Sequence, residues 1–136
     1  MISVDGTRRT KATYRGSDSV PVTASYRAFV LERLQLALPD VRARDMFGGV
    51  GIYAGTTFFA LIGNDVLYFK VDEHIRATYE SRGMRPFRPF GEGGEVMQYY
   101  EVPADVIEDT DALRQWASTA VTVGRRAKHR KTKRGG

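Results

Sequence analysis

The stretch "GVGIYAGTTFFALIGNDVLYFKV", residues 49 to 71, decides the fold, because it admits two incompatible readings. Its first six residues have the spacing G-x-G-x-x-A of a dinucleotide-binding turn, and Asp72 follows at about the distance of a ribose-binding acid. Such a turn needs a strand ahead of the glycines, a helix beginning on them, and a crossover of roughly 10 residues or more before the acid. These residues supply something else. The glycines are preceded by a charged stretch with Arg42, Arg44 and Asp45, and they are followed by the runs "VGIYA", "TFFALI" and "VLYFKV", rich in β-branched and aromatic residues with period two. The breaks "GT" (Gly55, Thr56) and "GND" (Gly63, Asn64, Asp65) supply the positive φ that tight hairpins need. Three antiparallel strands in a meander are predicted, with the glycines allowing close packing on the first, and no nucleotide or other cofactor is expected.

On the N-terminal side, "TASYRAFVLERLQLALP" places Tyr26, Phe29, Val30, Leu34, Ala37 and Leu38 at helical spacing. Thr23 or Ser25 can cap its start, and Pro39 stops it. On the C-terminal side, Asp72 caps a second helix, "EHIRATYESR", with Gly83 just past its end. "MRPFRPF" (84–90) and "VMQYYEV" (96–102) read as two further strands joined by "GEGGE", the first demoted to an edge by its prolines. After Pro103 comes one short turn, "ADVIE". A last helix from Asp109 or Thr110 then sets Leu113, Trp116, Ala117, Ala120, Val121 and Gly124 on one stripe. The predicted fold is α+β, a two-layer α/β sandwich with an antiparallel five-stranded sheet, in the order α-β-β-β-α-β-β-α.

The charge is unevenly spread. Residues 16–124 carry ten Lys/Arg against fifteen Asp/Glu, whereas residues 1–15 have a net charge of +3 and residues 125–136 hold seven cations and no acid. The domain division is therefore a flexible arm over 1–22, a folded body over 23–124, and a basic disordered tail over 125–136, since neither end can bury enough apolar surface to order itself. The tail residues Arg125, Arg126, Lys128, Arg130, Lys131, Lys133 and Arg134 are candidate contacts for weak, sequence-independent attraction to nucleic acid.

Several chemistries are excluded by composition. There is no cysteine for a disulfide, a thiolate nucleophile or a zinc site, and the two histidines, His74 and His129, lie far apart, so no metal site is expected. No run approaches the ~18 apolar residues of a membrane span, and the start lacks a signal peptide's apolar segment, which predicts a cytoplasmic protein without membrane association. Tyr68 and Lys70 alternate onto one face of the third strand. A pocket near Tyr68, Lys70 and Tyr99 would be the place for a small enzyme's chemistry, because desolvation lowers a lysine pKa. A lysine lying along a tyrosine on the solvent side of a sheet is the commoner arrangement, and no catalytic residue is assigned.

The string "MFGGVGIYAGTTFFALIGNDVLYFKVD", followed by "GMRPF", "QYYEVPADVIED" and "LRQWASTA", resembles the N-terminal domain of the TfoX/Sxy competence-regulator family. The resemblance rests on Met46, Phe47, Gly48 and Gly49 near the start of a first strand. It continues in Leu67, Tyr68 and Lys70; in Gly83, Pro86 and Phe87; in Tyr99, Tyr100 and Pro103; and in Trp116 and Ala117. It covers about residues 24 to 124 and implies the same order of helices and strands. It also implies a stand-alone version of that domain, without the family's helical C-terminal domain. The function it implies is a non-enzymatic regulatory or protein-binding module, a transcription or competence co-regulator whose partner is an unidentified protein such as a transcription regulator.

Overall fold

The computed structural model describes residues 22–46, 48–88 and 98–135. The arm over 1–21, Phe47, and the loop "GEGGE" with its flanks over 89–97 lie outside the described residues. Val22, assigned above to the arm, instead packs against the core.

Helix α1 (Ala24–Ala37) begins where Thr23 accepts a hydrogen bond from the Tyr26 amide, as expected of a capping threonine. The Thr23 hydroxyl in turn donates to Asp65 at 2.9 Å, which ties the helix start to a hairpin 42 residues away. Val30, Leu34 and Ala37 form its buried stripe. Four strands follow without interruption: β1 (Val41–Met46), β2 (Gly49–Ala54), β3 (Thr57–Gly63) and β4 (Val66–Lys70). Each is antiparallel to the next.

Strand β1 corrects the reading of "VRARDM" as a charged loop. Val41 is buried and Ala43 half-buried, while Arg42 and Arg44 alternate outward into solvent, so the period of two is present but only one face is apolar. The strand lies at the sheet edge, where charge is an advantage. In the two central antiparallel registers that would pair β1 with a second copy of itself, arginine would face arginine, which guards an unpaired edge against association.

The turns carry the backbone strain. Gly48 and Gly55 have positive φ in the first two hairpins. In the third, Gly63 pairs with Val66 and it is Asn64 and Asp65 that take φ of 53° and 58°, so the turn is the two-residue Asn-Asp and Gly63 belongs to the strand. Strand β3 contains a bulge: Ile52 pairs with Ala60 and Tyr53 with Phe58, leaving Phe59 as the extra residue. The bulge lets Phe59 and Ala60, adjacent in sequence, both be fully buried.

Helix α2 (Glu73–Ser81) is capped by Asp72, which accepts from the Ile75 amide at 2.7 Å, and Gly83 follows with φ of 77°. The expected strand "MRPFRPF" shrinks to a single bridge, Pro86 to Tyr100. The physical reason is that Pro86 has no amide to donate, so among the described residues of this segment Arg85 and Phe87 make the backbone bonds to the neighbouring strand. That neighbour, β5 (Tyr99–Glu101), pairs with β4 and completes a five-stranded sheet in the order β1-β2-β3-β4-β5. The expected five antiparallel strands are therefore present, with β1 in place of "MRPFRPF" and the order α-β-β-β-β-α-β-α-α.

A short α3 (Ala104–Ile107) follows Pro103, and α4 (Thr110–Gly135) closes the chain. The core-facing residues of α4 are Leu113, Ala117, Ala120, Val121 and Gly124. At Gly124 a Cβ would lie 2.8 Å from the Thr57 Cγ2 and 2.9 Å from the Phe58 carbonyl oxygen, so α4 rests directly on the backbone of β3 there. The helix does not end with its apolar stripe. It continues through Gly135, so the segment read as a disordered tail is helical. Extending a helix already nucleated by core packing is far cheaper than starting one, Lys and Arg are good helix formers, and cations at the C-terminus complement the helix dipole.

Among the described residues the helices pack on one side of the sheet or at its rim, and the second side carries no helical layer.

Candidate functional site

The register of the strands determines which side chains share the helix-free face. One cross-strand row runs Arg44, Gly51, Leu61, Tyr68, Glu101. A second runs Arg42, Tyr53, Phe58, and beyond the bulge Lys70 and Tyr99. Arg85 and Phe87, extended alongside β5, add to its border. The two rows carry two groups of touching rings, with Tyr99 buried and the others half-buried. Tyr53 stacks on Phe58 with ring centroids 5.2 Å apart, Phe58 meets Tyr99 at 5.6 Å, and Tyr68 meets Phe87 at 4.9 Å. Gly51 forms the floor between the rows. An added Cβ would meet Met46 Cε at 2.6 Å and Phe58 at 3.1 Å, so the absence of a side chain is what lets both lie across β2.

Lys70 Nζ stands 4.9 Å from the centre of the Tyr99 ring, a cation–π contact. Tyr68, Lys70 and Tyr99, singled out from sequence, thus do share one surface. Two of its phenols are held in the protonated form. Burial raises the pKa of Tyr99, with Tyr53 adding to the effect. Burial also raises that of Tyr68, reinforced by Glu101 and opposed by Arg85. Both phenols hold their protons more tightly than a free tyrosine, so they act as rings with a neutral polar tip.

The face is positive on an acidic body. Arg42, Arg44, Lys70 and Arg85 stand on it against Glu101, with Asp40 held to Arg42 at 3.2 Å at the rim. The basic end of α4 leaves the molecule beside this rim. Arg125 lines an open groove of about 310 Å³ with Asp40 and Gly55, at the end of the sheet that also carries Arg42, Tyr53 and Phe58. Arg125 and Arg126 are exposed. The side chains of Lys128, Arg130, Lys131, Lys133 and Arg134 lie outside the described residues, on backbone that is helical.

The remaining motif residues divide between packing and surface. Met46, Gly48 and Gly49 surround the β1–β2 hairpin and do not begin the first strand, because Met46 ends β1 and Gly49 begins β2. Leu67 and Tyr100 are in the core, and the Tyr100 hydroxyl donates to Glu80 at 2.6 Å. Pro103 is buried ahead of α3. Trp116 is half-buried at the margin of the core, edge-on to Tyr79 at 4.8 Å and beneath the Arg82 guanidinium at 5.6 Å. Arg82 is itself held by two hydrogen bonds to Asp105. Two features escaped the sequence reading. The cations Arg42 and Arg44 belong to the aromatic face only because "VRARDM" is a strand, and its alternation of Val41 and Ala43 with arginines was the available signal. The other feature is on α1, where Phe29, grouped above with the apolar stripe, is 41% exposed and Leu36 is 59% exposed, one heptad apart on the outer side of the helix.

Among the described residues no group of His, Asp and Glu could hold a metal ion, and no helix is long and apolar enough to cross a membrane. The family model described as "TfoX N-terminal domain" matches residues 32–123, from the middle of α1 to the last buried turns of α4. Among curated proteins no match is found.

Proposed function

Because the chain belongs to the TfoX N-terminal domain family, we propose that it is a non-enzymatic regulatory module that binds a protein partner, such as a transcription regulator, in competence-related control in the cytoplasm. The observation that carries the reading is the outer stripe of α1. Phe29 and Leu36 are the exposed large hydrophobic residues among those described, and the Tyr26 ring lies 6.1 Å from that of Phe29. A helix that buries Val30, Leu34 and Ala37 on one side and shows an aromatic and a leucine at i and i+7 on the other has a second apolar edge, a form that helix-binding partners recognise. The basic end of α4 adds attraction to nucleic acid that depends on charge and not on sequence.

Two measurements test this. Replacing Phe29 and Leu36 together by Ser should abolish capture of a nuclease-resistant protein from lysate while leaving the thermal midpoint nearly unchanged. Capture of the same proteins by the variant would overturn the assignment of α1. For the basic helix, affinity for duplex DNA should fall with salt at a slope of log K near −3, the value for roughly three or four phosphate contacts, and neutralising the cations of 125–134 should remove it.

A further inference from the structure

We propose that the helix-free face of the sheet is a binding surface for single-stranded DNA. The inference rests on the reading of the chain as a binding module with a polyanion-attracting helix, and it adds a second ligand site distinct from the stripe on α1. Three observations converge on one surface. Tyr53, Phe58, Tyr68 and Phe87 are only half-buried, and they lie in two ring pairs on a sheet whose other side holds the helices. Flat rings on an open antiparallel sheet are platforms for unpaired bases, because every base has a π-face and a duplex keeps its own hidden. Arg42 and Arg44 flank these rings along the β1 edge, and Arg85 flanks them beside β5, so cations border the aromatic area on both sides. They do so on a body whose net charge over 16–124 is −5, which makes this face a local exception of the sign a phosphate backbone needs.

The basic part of α4 passes the same end of the sheet on its helical side. It leaves the body next to Asp40 and Gly55, at the end of the sheet where Arg42, Tyr53 and Phe58 lie. A strand whose bases stack on Tyr53 and Phe58 would carry its backbone past Arg42 toward the rim where Arg125 lies. DNA is favoured over RNA on this surface. Met46 and Leu61 stand on it and offer apolar contact to the methyl group that thymine has and uracil lacks.

The experiment measures fluorescence anisotropy of the full chain with labelled short oligothymidylate, oligouridylate and a DNA duplex. Tyr53→Leu with Tyr68→Leu removes two platforms while keeping apolar volume, and a second variant carries Arg42→Gln with Arg44→Gln. Both are first shown by thermal unfolding to be folded. The expected result is tightest binding to oligothymidylate, a loss of about ten-fold or more in the tyrosine variant for that ligand alone, and a shallower salt slope in the arginine variant. Ring resonances of Tyr53, Tyr68 and Phe87 should move on titration, while the Trp116 indole on the helical side should not. Equal binding of single strand and duplex, unchanged in the tyrosine variant, would overturn the inference and leave only the charge attraction of α4. Tightest binding to oligouridylate would overturn the assignment to DNA. Loss of a protein partner in the tyrosine variant with unchanged DNA binding would make the face a protein surface, and no nucleic-acid binding at all would remove both this inference and the role given to the basic helix.

Discussion

On the helix side of the sheet, Ile52, Ile62, Leu67 and Phe69 are each no more than 1% exposed, whereas Tyr53, Phe58, Leu61 and Tyr68, carried by the same three strands, are only half-buried on the other side. Hydrophobicity does not separate the two sets. What separates them is shape and partner: the covered side interlocks aliphatic groups and the Phe59–Phe69 pair with four helices, and the open side packs rings against one another. A strand such as "VLYFK" is apolar in both directions, and the side that ends up in the core is decided by which side the helices occupy. The tyrosines mark the difference chemically, since a ring with a hydroxyl tip tolerates a surface that meets water.

The largest test of this contrast is Phe69→Ala, which removes a fully buried ring from the covered side and should cost about 3 to 5 kcal/mol in denaturant unfolding. A loss under about 1 kcal/mol would mean that the helical layer does not enclose it. Gly124→Ala comes next. Alanine favours the helix by up to about 1 kcal/mol, but its Cβ has no room above the Phe58 carbonyl, and a backbone atom cannot swing aside. A net loss of about 1 to 2 kcal/mol is expected, and a gain would show that α4 sits farther from β3. The smallest effect is expected on the open side at the β1 edge, where Arg42→Thr with Arg44→Thr should change stability by less than about 0.5 kcal/mol. The same variant should self-associate at high concentration in sedimentation velocity, because the like charges that oppose pairing of two β1 edges are gone. A stable and strictly monomeric variant would show that the edge is protected by other means.

Much of the framework was legible because it depends on neighbours in sequence. Thr23 and Asp72 cap the helices expected of them, Gly55 and Gly83 adopt the positive φ their positions require, and the α4 stripe is buried as its spacing implies except at Trp116, which is half-buried. The failures have separate causes. β1 is hard to read because Val41, Ala43 and Met46 are its only apolar residues, and charges at an edge strand resemble those of a loop. "MRPFRPF" was over-read because its apolar pattern survives while its prolines remove the donors that a ladder needs. The basic end of α4 has no apolar periodicity to mark it as helical, and its helix follows from the cheap propagation of one already established.

The candidate surface was legible only as a trio, Tyr68, Lys70 and Tyr99. Residues two apart on one strand share a face by the geometry of the pleat, so Tyr68 and Lys70 could be joined from sequence. By itself, then, the sequence determined the helix caps, the hairpin turns, the family to which the chain belongs and the opposition of acidic body to basic end, because each follows from local backbone chemistry or from order along the chain. Only the tertiary structure decided that Arg42, Arg44, Tyr53, Phe58 and Phe87 join that trio and that the side they occupy is the one without helices. Cross-strand register and the choice of covered face depend on packing between segments tens of residues apart, and no periodicity within one segment can report it.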